Sequence, residues 1–149
     1  MNKDNTRIYE INIDFILVNY GDDADMKGCD ISVYNINAYK KWHSEFHETM
    51  QKANSKFFRS ERYQNSYFAI RRALDGDRSI LNRYACQGYT NFNTLAAIFA
   101  LQCDQIAVRE CIEKYGASDI NQIYTMAISS GCCNDFLDYL ISKGATNNT

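Results

Sequence analysis

The side chains best suited to chemistry in this 149-residue chain are two histidines and six cysteines. His43 and His47 stand four apart, so on a helix they share one face, a spacing at which two imidazoles can chelate zinc. No third ligand stands at a diagnostic distance. Glu45 between them does not make the His-Glu-x-x-His order of a metalloprotease. The expected role is a structural pair on a helix, with no metal site. Cys132 and Cys133 are adjacent, and no Cys-x-x-Cys occurs anywhere, so neither a zinc ribbon nor a dithiol redox site is indicated. They read as small residues filling a turn. With Cys29, Cys86, Cys103 and Cys111 they are expected to be free, mostly buried thiols in a reducing compartment. The run Asp22-Asp23-Ala24-Asp25 lacks the ligand order and terminal glutamate of a calcium loop and reads as a solvated turn. A glycine-rich phosphate loop, a nucleophile elbow and a paired-carboxylate constellation are all missing. The expectation is therefore no catalytic residue, no cofactor, no small-molecule substrate and no enzyme.

Charge is the stronger signal. The net charge of −2 conceals a basic island: residues 1–39 carry −4, residues 40–83 carry +5, and residues 84–149 carry −3. Within the island, aromatic residues alternate with Lys40, Lys41, Lys52, Lys56, Arg59, Arg62, Arg71 and Arg72. Basic residues interleaved with aromatics can hold nucleic acid through phosphate contacts and stacking. They can also form a solvated helix face whose rings supply the core. Arg59, Arg62, Arg71 and Arg72 are the hardest to place in a core and are the leading candidates for an interaction patch.

The elements that position these residues follow from periodicity. Ile11, Ile13 and Phe15 alternate with polar residues, as do Ile31, Val33 and Asn35 after the acidic loop, and the pattern predicts an N-terminal β-hairpin over 1–36. Tyr39, Trp42, Phe46 and Met50 then recur at three and four residues. That predicts an amphipathic helix running to about Phe57, with another beginning near Glu61; residues 37–65 form a capping segment. Proline is absent from the whole chain. The run Phe15-Ile16-Leu17-Val18 is too short to span a membrane, and no later stretch approaches that length. The expected location is a cytoplasm, its own cell's or a host's.

The remainder repeats. Gly88, Gly116 and Gly144 are spaced by 28 and end helical segments, where glycine takes the left-handed conformation that a Cβ disfavours. Ala73, Ala100 and Ala127 are spaced by 27 on the preceding helices, with breaks at Asp75-Gly76-Asp77, Cys103-Asp104 and Ser130-Gly131. Eight and four residues before each closing glycine stand Ile80 and Tyr84, Val108 and Ile112, Phe136 and Leu140, pairs that share one helix face. Such a period, with a helix–turn–helix in each unit, indicates stacked hairpins in which the middle unit, Thr94–Leu101, is covered on both sides.

The third unit, Ile123–Ala145, with its tail Phe136-Leu137-x-Tyr139-Leu140-Ile141-x-x-Gly144-Ala145, resembles an ankyrin repeat, and the resemblance spans about residues 66–146. The period of 27–28, against the usual 33, and the missing Thr-Pro-Leu-His opening indicate short, degenerate repeats, similar to those of viral, phage or bacterial ankyrin-like proteins. The resulting expectation is a mainly α (α+β) single domain: the hairpin and the long helix cap about three ankyrin-like hairpins over 66–149. What the resemblance implies is protein–protein recognition. The expected function is a module that sequesters or inhibits a macromolecular partner, such as a viral or phage inhibitor of host defence or an immunity protein. The alternative is a binder of nucleic acid or of a nucleoprotein complex through residues 40–83, and self-association into a homodimer is a further expectation. The expected partner-binding residues are Arg59, Arg62, Arg71, Arg72, Tyr89, Asn91, Phe92 and Asp119.

Overall fold

The computed structural model describes residues 36–53, 56, 58–90 and 92–146. These form seven helices, with no strand among the described residues. The α+β expectation is corrected to all-α for this part of the chain. The proposed hairpin falls outside the described residues except for Ile36, which opens a helix instead of ending a strand. Ile36 lies in the same stripe as His43, Phe46 and Met50, at helical spacing, and that stripe overrides the short alternation before it.

Helix α1 spans Ile36–Ala53, with Met50 the last buried residue of its described stripe, and the expected end at Phe57 lies outside the described residues. Helix α2 (Glu61–Leu74) is fixed at its start by Ser60, whose hydroxyl accepts from the Tyr63 N–H at 3.1 Å. Arg71 and Arg72 in its last turn complement the negative end of the helix dipole. Then follow α3 (Ser79–Cys86), α4 (Asn93–Leu101), α5 (Gln105–Glu113), α6 (Ile120–Ser129) and α7 (Asn134–Ser142). The six helices from α2 onward form three hairpins. Helices α2, α4 and α6 pack side by side, and α3, α5 and α7 each pack on the first helix of their own hairpin. Helix α1 packs on α2.

Ala73, Ala100 and Ala127 are fully buried, but the turns that follow align Ala127 with Arg72 and Phe99, one position before the place that Ala73 and Ala100 share. Every residue of α4 from Leu95 to Leu101 is buried, as a helix flanked on both sides requires. Twenty-eight residues after the buried Ala97, Ala100 and Leu101, the offset between the two turns, come Thr125, Ile128 and Ser129. Here Thr125 is exposed and Ile128 is 42% exposed, so the row ends on a largely polar face.

The turn inside each hairpin has one geometry. Gly76 and Gly131 adopt φ of +83° and +70°, and the equivalent residue of the middle hairpin is Cys103, at φ +55°. In each turn the next N–H reaches back to a helix carbonyl at 3.0–3.1 Å: Asp77 to Arg72, Asp104 to Phe99, Cys132 to Ala127. Neighbouring turns are tied together. Gln102 donates to the Ala73 carbonyl and Ser130 to the Leu101 carbonyl, each at 2.7 Å. Arg78 pairs with Asp104 at 2.7 Å, and Cys103 is disulfide-bonded to Cys132.

That bond corrects the expectation of free thiols. Cys86 and Cys133 are free and exposed, and only Cys111 is both free and buried among the described cysteines. A separation of 29 residues gives no hint of pairing until stacking puts the two turns side by side. At the other end of the hairpins, asparagines spaced by 28 hold the loops. The Asn93 side-chain oxygen accepts from the N–H groups of Ser118 and Asp119 at 2.8 and 3.0 Å, and Asn121 accepts from the N–H of Thr146 at 2.9 Å. Asn65 donates to the Tyr89 hydroxyl at 3.1 Å. No helix of the described residues is long and apolar enough to cross a membrane.

Candidate interaction surface

Helix α2 buries Tyr63, Ser66, Ala69, Ile70, Ala73 and Leu74. The residues left at the edge of that buried face include Arg62, Asn65, Phe68 and Arg72, successive neighbours at spacings of three and four. Phe68 is half-buried and packs on the core from the outside. Two guanidinium groups lie over its ring: Arg72 at 5.1 Å from the centroid and Arg83, from α3, at 4.8 Å. One step along the helix Arg62 lies over Tyr89 at 5.0 Å, while Asn65 holds the Tyr89 hydroxyl. Tyr89 itself stacks on Tyr84 at 4.4 Å between centroids, which anchors the loop after α3 to the core. The result is a strip of three exposed arginines on the first hairpin, each lying on an aromatic face.

Asp77 is an acidic group close enough to feel two of them, Arg72 and Arg83. A hydrogen bond from the Ser79 hydroxyl, helped by the positive charges of Arg72 and Arg83, holds its carboxyl below the usual range. Its distance to Arg72, 3.9 Å, is that of a loose ion pair. A guanidinium held over a ring is drawn to the negative face of the π system, and its planar fork suits carboxylate or phosphate oxygens.

The expected site residues divide on this geometry. Arg62, Arg72 and Tyr89 are brought together. Arg59 is exposed in the turn that precedes α2. Arg71 faces α1, where its Nη1 donates to Ser44 at 3.5 Å, and it sits apart from the strip. Asp119 is exposed on the loop after α5, with its N–H bound to Asn93. Phe92 is removed from the site. It is 2% exposed, stacked on Tyr115 at 4.5 Å and set edge-on to Tyr84, so it is a core residue that starts the second hairpin. Asn91 lies outside the described residues. Reading the sequence alone missed Arg83 and Phe68. Arg83 lies within the basic island, but only the hairpin puts it beside Arg72.

The histidine pair belongs to the packing of α1 on α2. Both rings stack on Tyr67, His43 at 4.9 Å and His47 at 3.8 Å, and His47 Nδ1 shares a hydrogen bond with the Tyr63 hydroxyl at 3.0 Å. Burial, aided by the positive charge of Arg71 and by His47, pushes the His43 pKa down to about 3. Burial also lowers that of His47. His43 is thus a neutral ring at any physiological pH. Among the described residues no group of three or more His, Cys, Asp and Glu could hold a metal ion. Compared with protein-family models, with curated proteins and with solved structures, the chain matches none.

Proposed function

We propose that the chain is a non-enzymatic, ankyrin-like protein-binding module of the cytoplasm that grips a carboxylate-rich surface of a partner protein, and by covering it sequesters or inhibits that partner. The observation that carries this reading is the strip of Arg62, Arg72 and Arg83 lying on Tyr89 and Phe68. Arginine in a fixed orientation loses little further freedom when it makes a bidentate bond to a carboxylate. Helix α1 and the second hairpin, which pack on α2, supply the shape against which such a contact becomes selective. A viral or phage inhibitor of host defence and an immunity protein are the settings in which a small module of this kind acts.

Nucleic acid is the second reading, because the same arginines suit phosphate. The strip is short, however, and is not continued along the stack: residues 84–149 carry −3, with Asp135 and Asp138 exposed on α7 of the third hairpin. A phosphate backbone tracks an extended basic groove, whereas an acidic peptide needs only a few cations.

Fluorescence anisotropy tests the choice, using a Glu/Asp-rich peptide and a single-stranded oligonucleotide of equal charge at physiological salt. The peptide is expected to bind more tightly than the oligonucleotide. The double variant Arg72→Glu/Arg83→Glu is expected to weaken the peptide by about 10- to 100-fold, corresponding to the roughly 1.5–3 kcal/mol of a hydrogen bond to a charged group. Tighter binding of the oligonucleotide, lost in the same variant, would transfer the strip to nucleic acid.

A further inference from the structure

Three exposed or polar features lie outside the arginine strip: the His43–His47 stack, the isoleucines Ile106, Ile128 and Ile141, and the disulfide between the second and third hairpins. The histidines are absorbed by packing, and nothing shows what would cover the isoleucines. The disulfide carries an inference of its own, independent of what the module binds.

Cys103 and Cys132 occupy neighbouring turns, with Cα atoms 5.4 Å apart, within the range that a disulfide spans without moving the backbone. The two ends are unlike. Cys132 is buried, and its N–H closes the turn onto Ala127. Cys103 is exposed at the tip of its turn, in the left-handed position that the other two hairpins fill with glycine. A cysteine where the fold would be better served by glycine suggests that the sulfur is what the position is for. The joint also falls between the two hairpins that lack an ion pair at this place. Arg78 of the first hairpin reaches Asp104 of the second, whereas the residue equivalent to Asp104 in the third is Cys132 itself.

We propose that Cys103 and Cys132 form a site of reversible thiol–disulfide exchange, with a low-molecular-weight disulfide of the glutathione class as oxidant, that clamps the third hairpin to the second. In the reduced protein the Cys103 thiol loses its proton to solvent, and the thiolate attacks one sulfur of the small disulfide. A Cys103 mixed disulfide forms, and the first small thiolate leaves and takes up a proton. The deprotonated Cys132 sulfur then attacks Cys103, the Cys103–Cys132 bond forms, and the second small thiolate leaves. Two protein thiols are oxidised and one small disulfide is reduced to two thiols. Opening is the reverse, entered at the sulfur of Cys103 because that end is the accessible one. Cys111 takes no part, since burial pushes its thiol up to about 12. Cys133 is exposed beside Cys132 and is the competitor that the test must separate.

The test starts from the fully reduced protein, equilibrated in buffers running from reduced to oxidised glutathione, quenched with acid, alkylated and mapped by mass spectrometry. The expected result is the joint loss of the Cys103 and Cys132 alkylation sites, a linked peptide containing both, and full reversal in excess reduced glutathione. Cys133→Ser is expected to leave this behaviour unchanged, and Cys132→Ser to trap glutathione on Cys103. Amide hydrogen exchange of residues 120–142 is expected to slow by tenfold or more on oxidation. Cys103 and Cys132 both alkylated in fully oxidised glutathione, a linked peptide joining Cys103 to Cys133, or exchange in 120–142 unchanged by oxidation would each overturn the proposal.

Discussion

Phe68 is the point at which the arginine strip can be tested without a partner. Replacing it with leucine keeps most of the apolar volume and removes the π face beneath Arg72 and Arg83. A cation over an aromatic ring at an exposed site contributes about 0.5–1 kcal/mol, so the two together contribute about 1–2 kcal/mol. Their mutual repulsion acts against this. Both guanidinium carbons lie within 5.1 Å of the same centroid, so they are at most about 10 Å apart. At that greatest separation two charges repel by about 0.4 kcal/mol in water, more if they are closer, and salt reduces it. That repulsion is the same with and without the ring, so it drops out of a cycle that removes ring and cations in turn, and the coupling between the ring and the pair of cations stays at about 1–2 kcal/mol. The assay is a double-mutant cycle in urea unfolding: wild type, Phe68→Leu, Arg72→Gln/Arg83→Gln, and all three together. The loose contact of Arg72 with Asp77 cancels in the cycle, because it is lost equally with and without the ring. Effects that add within about 0.3 kcal/mol, the usual error of additivity for independent sites, would refute the claim that Phe68 holds these arginines.

Two further outcomes follow from single positions. Cys103→Ser removes a bond across a 29-residue separation, for which chain entropy gives about 3.6 kcal/mol, or a melting temperature lower by about 7–14 °C under oxidising conditions. Cys103→Gly is expected to regain about 0.5–1 kcal/mol over the serine variant, because φ +55° suits glycine; a glycine variant no more stable than the serine one would contradict that reading of the turn. For His43 the folded pKa lies near 3, below the ordinary 6.5, so stability is full above pH 6.5 and falls by roughly 1.4 kcal/mol per unit as pH drops from there towards 3. Thermal melts of His43→Phe are expected to show a flatter slope across that window, and a slope equal to that of wild type would sink the assignment.

The helical hairpins were legible in the sequence because their signals are local. The glycine stops spaced by 28 reappear as left-handed residues and the apolar pairs of the second helices as buried ones, Ile112 only partly. The alanines spaced by 27 are buried but fall out of register at the third hairpin. Capping of α2 by Ser60 and the near-total burial of α4 follow from the same kind of local pattern. The site was only half legible. Arg62 and Arg72 stand out as charges on a helix, but Arg83 joins them only through the fold of the hairpin, eleven residues later. Phe92 was misplaced because an aromatic residue in a loop reads as exposed, whereas here it is the residue on which Tyr84 and Tyr115 close. The asparagines at 65, 93 and 121 show the 28-residue period as plainly as the glycines. Apolar and glycine registers pass over them, because a polar side chain that binds loop N–H groups, or in Asn65 the Tyr89 hydroxyl, has no hydrophobic signature. The Cys103–Cys132 bond depends on the stacking of two turns, which no local pattern reveals.

The proposed role of the strip on the first hairpin is to hold a protein. The most direct measurement is an affinity capture with nuclease treatment, comparing wild type with Arg72→Glu/Arg83→Glu and with Asp135→Lys/Asp138→Lys on the third hairpin. The predicted result is a stoichiometric protein partner that survives nuclease, is lost with the arginine reversal and is kept with the aspartate reversal. A partner kept by the arginine variant and lost by the aspartate one would move the interface to α7. Recovery of nucleic acid alone, gone after nuclease, would contradict the account.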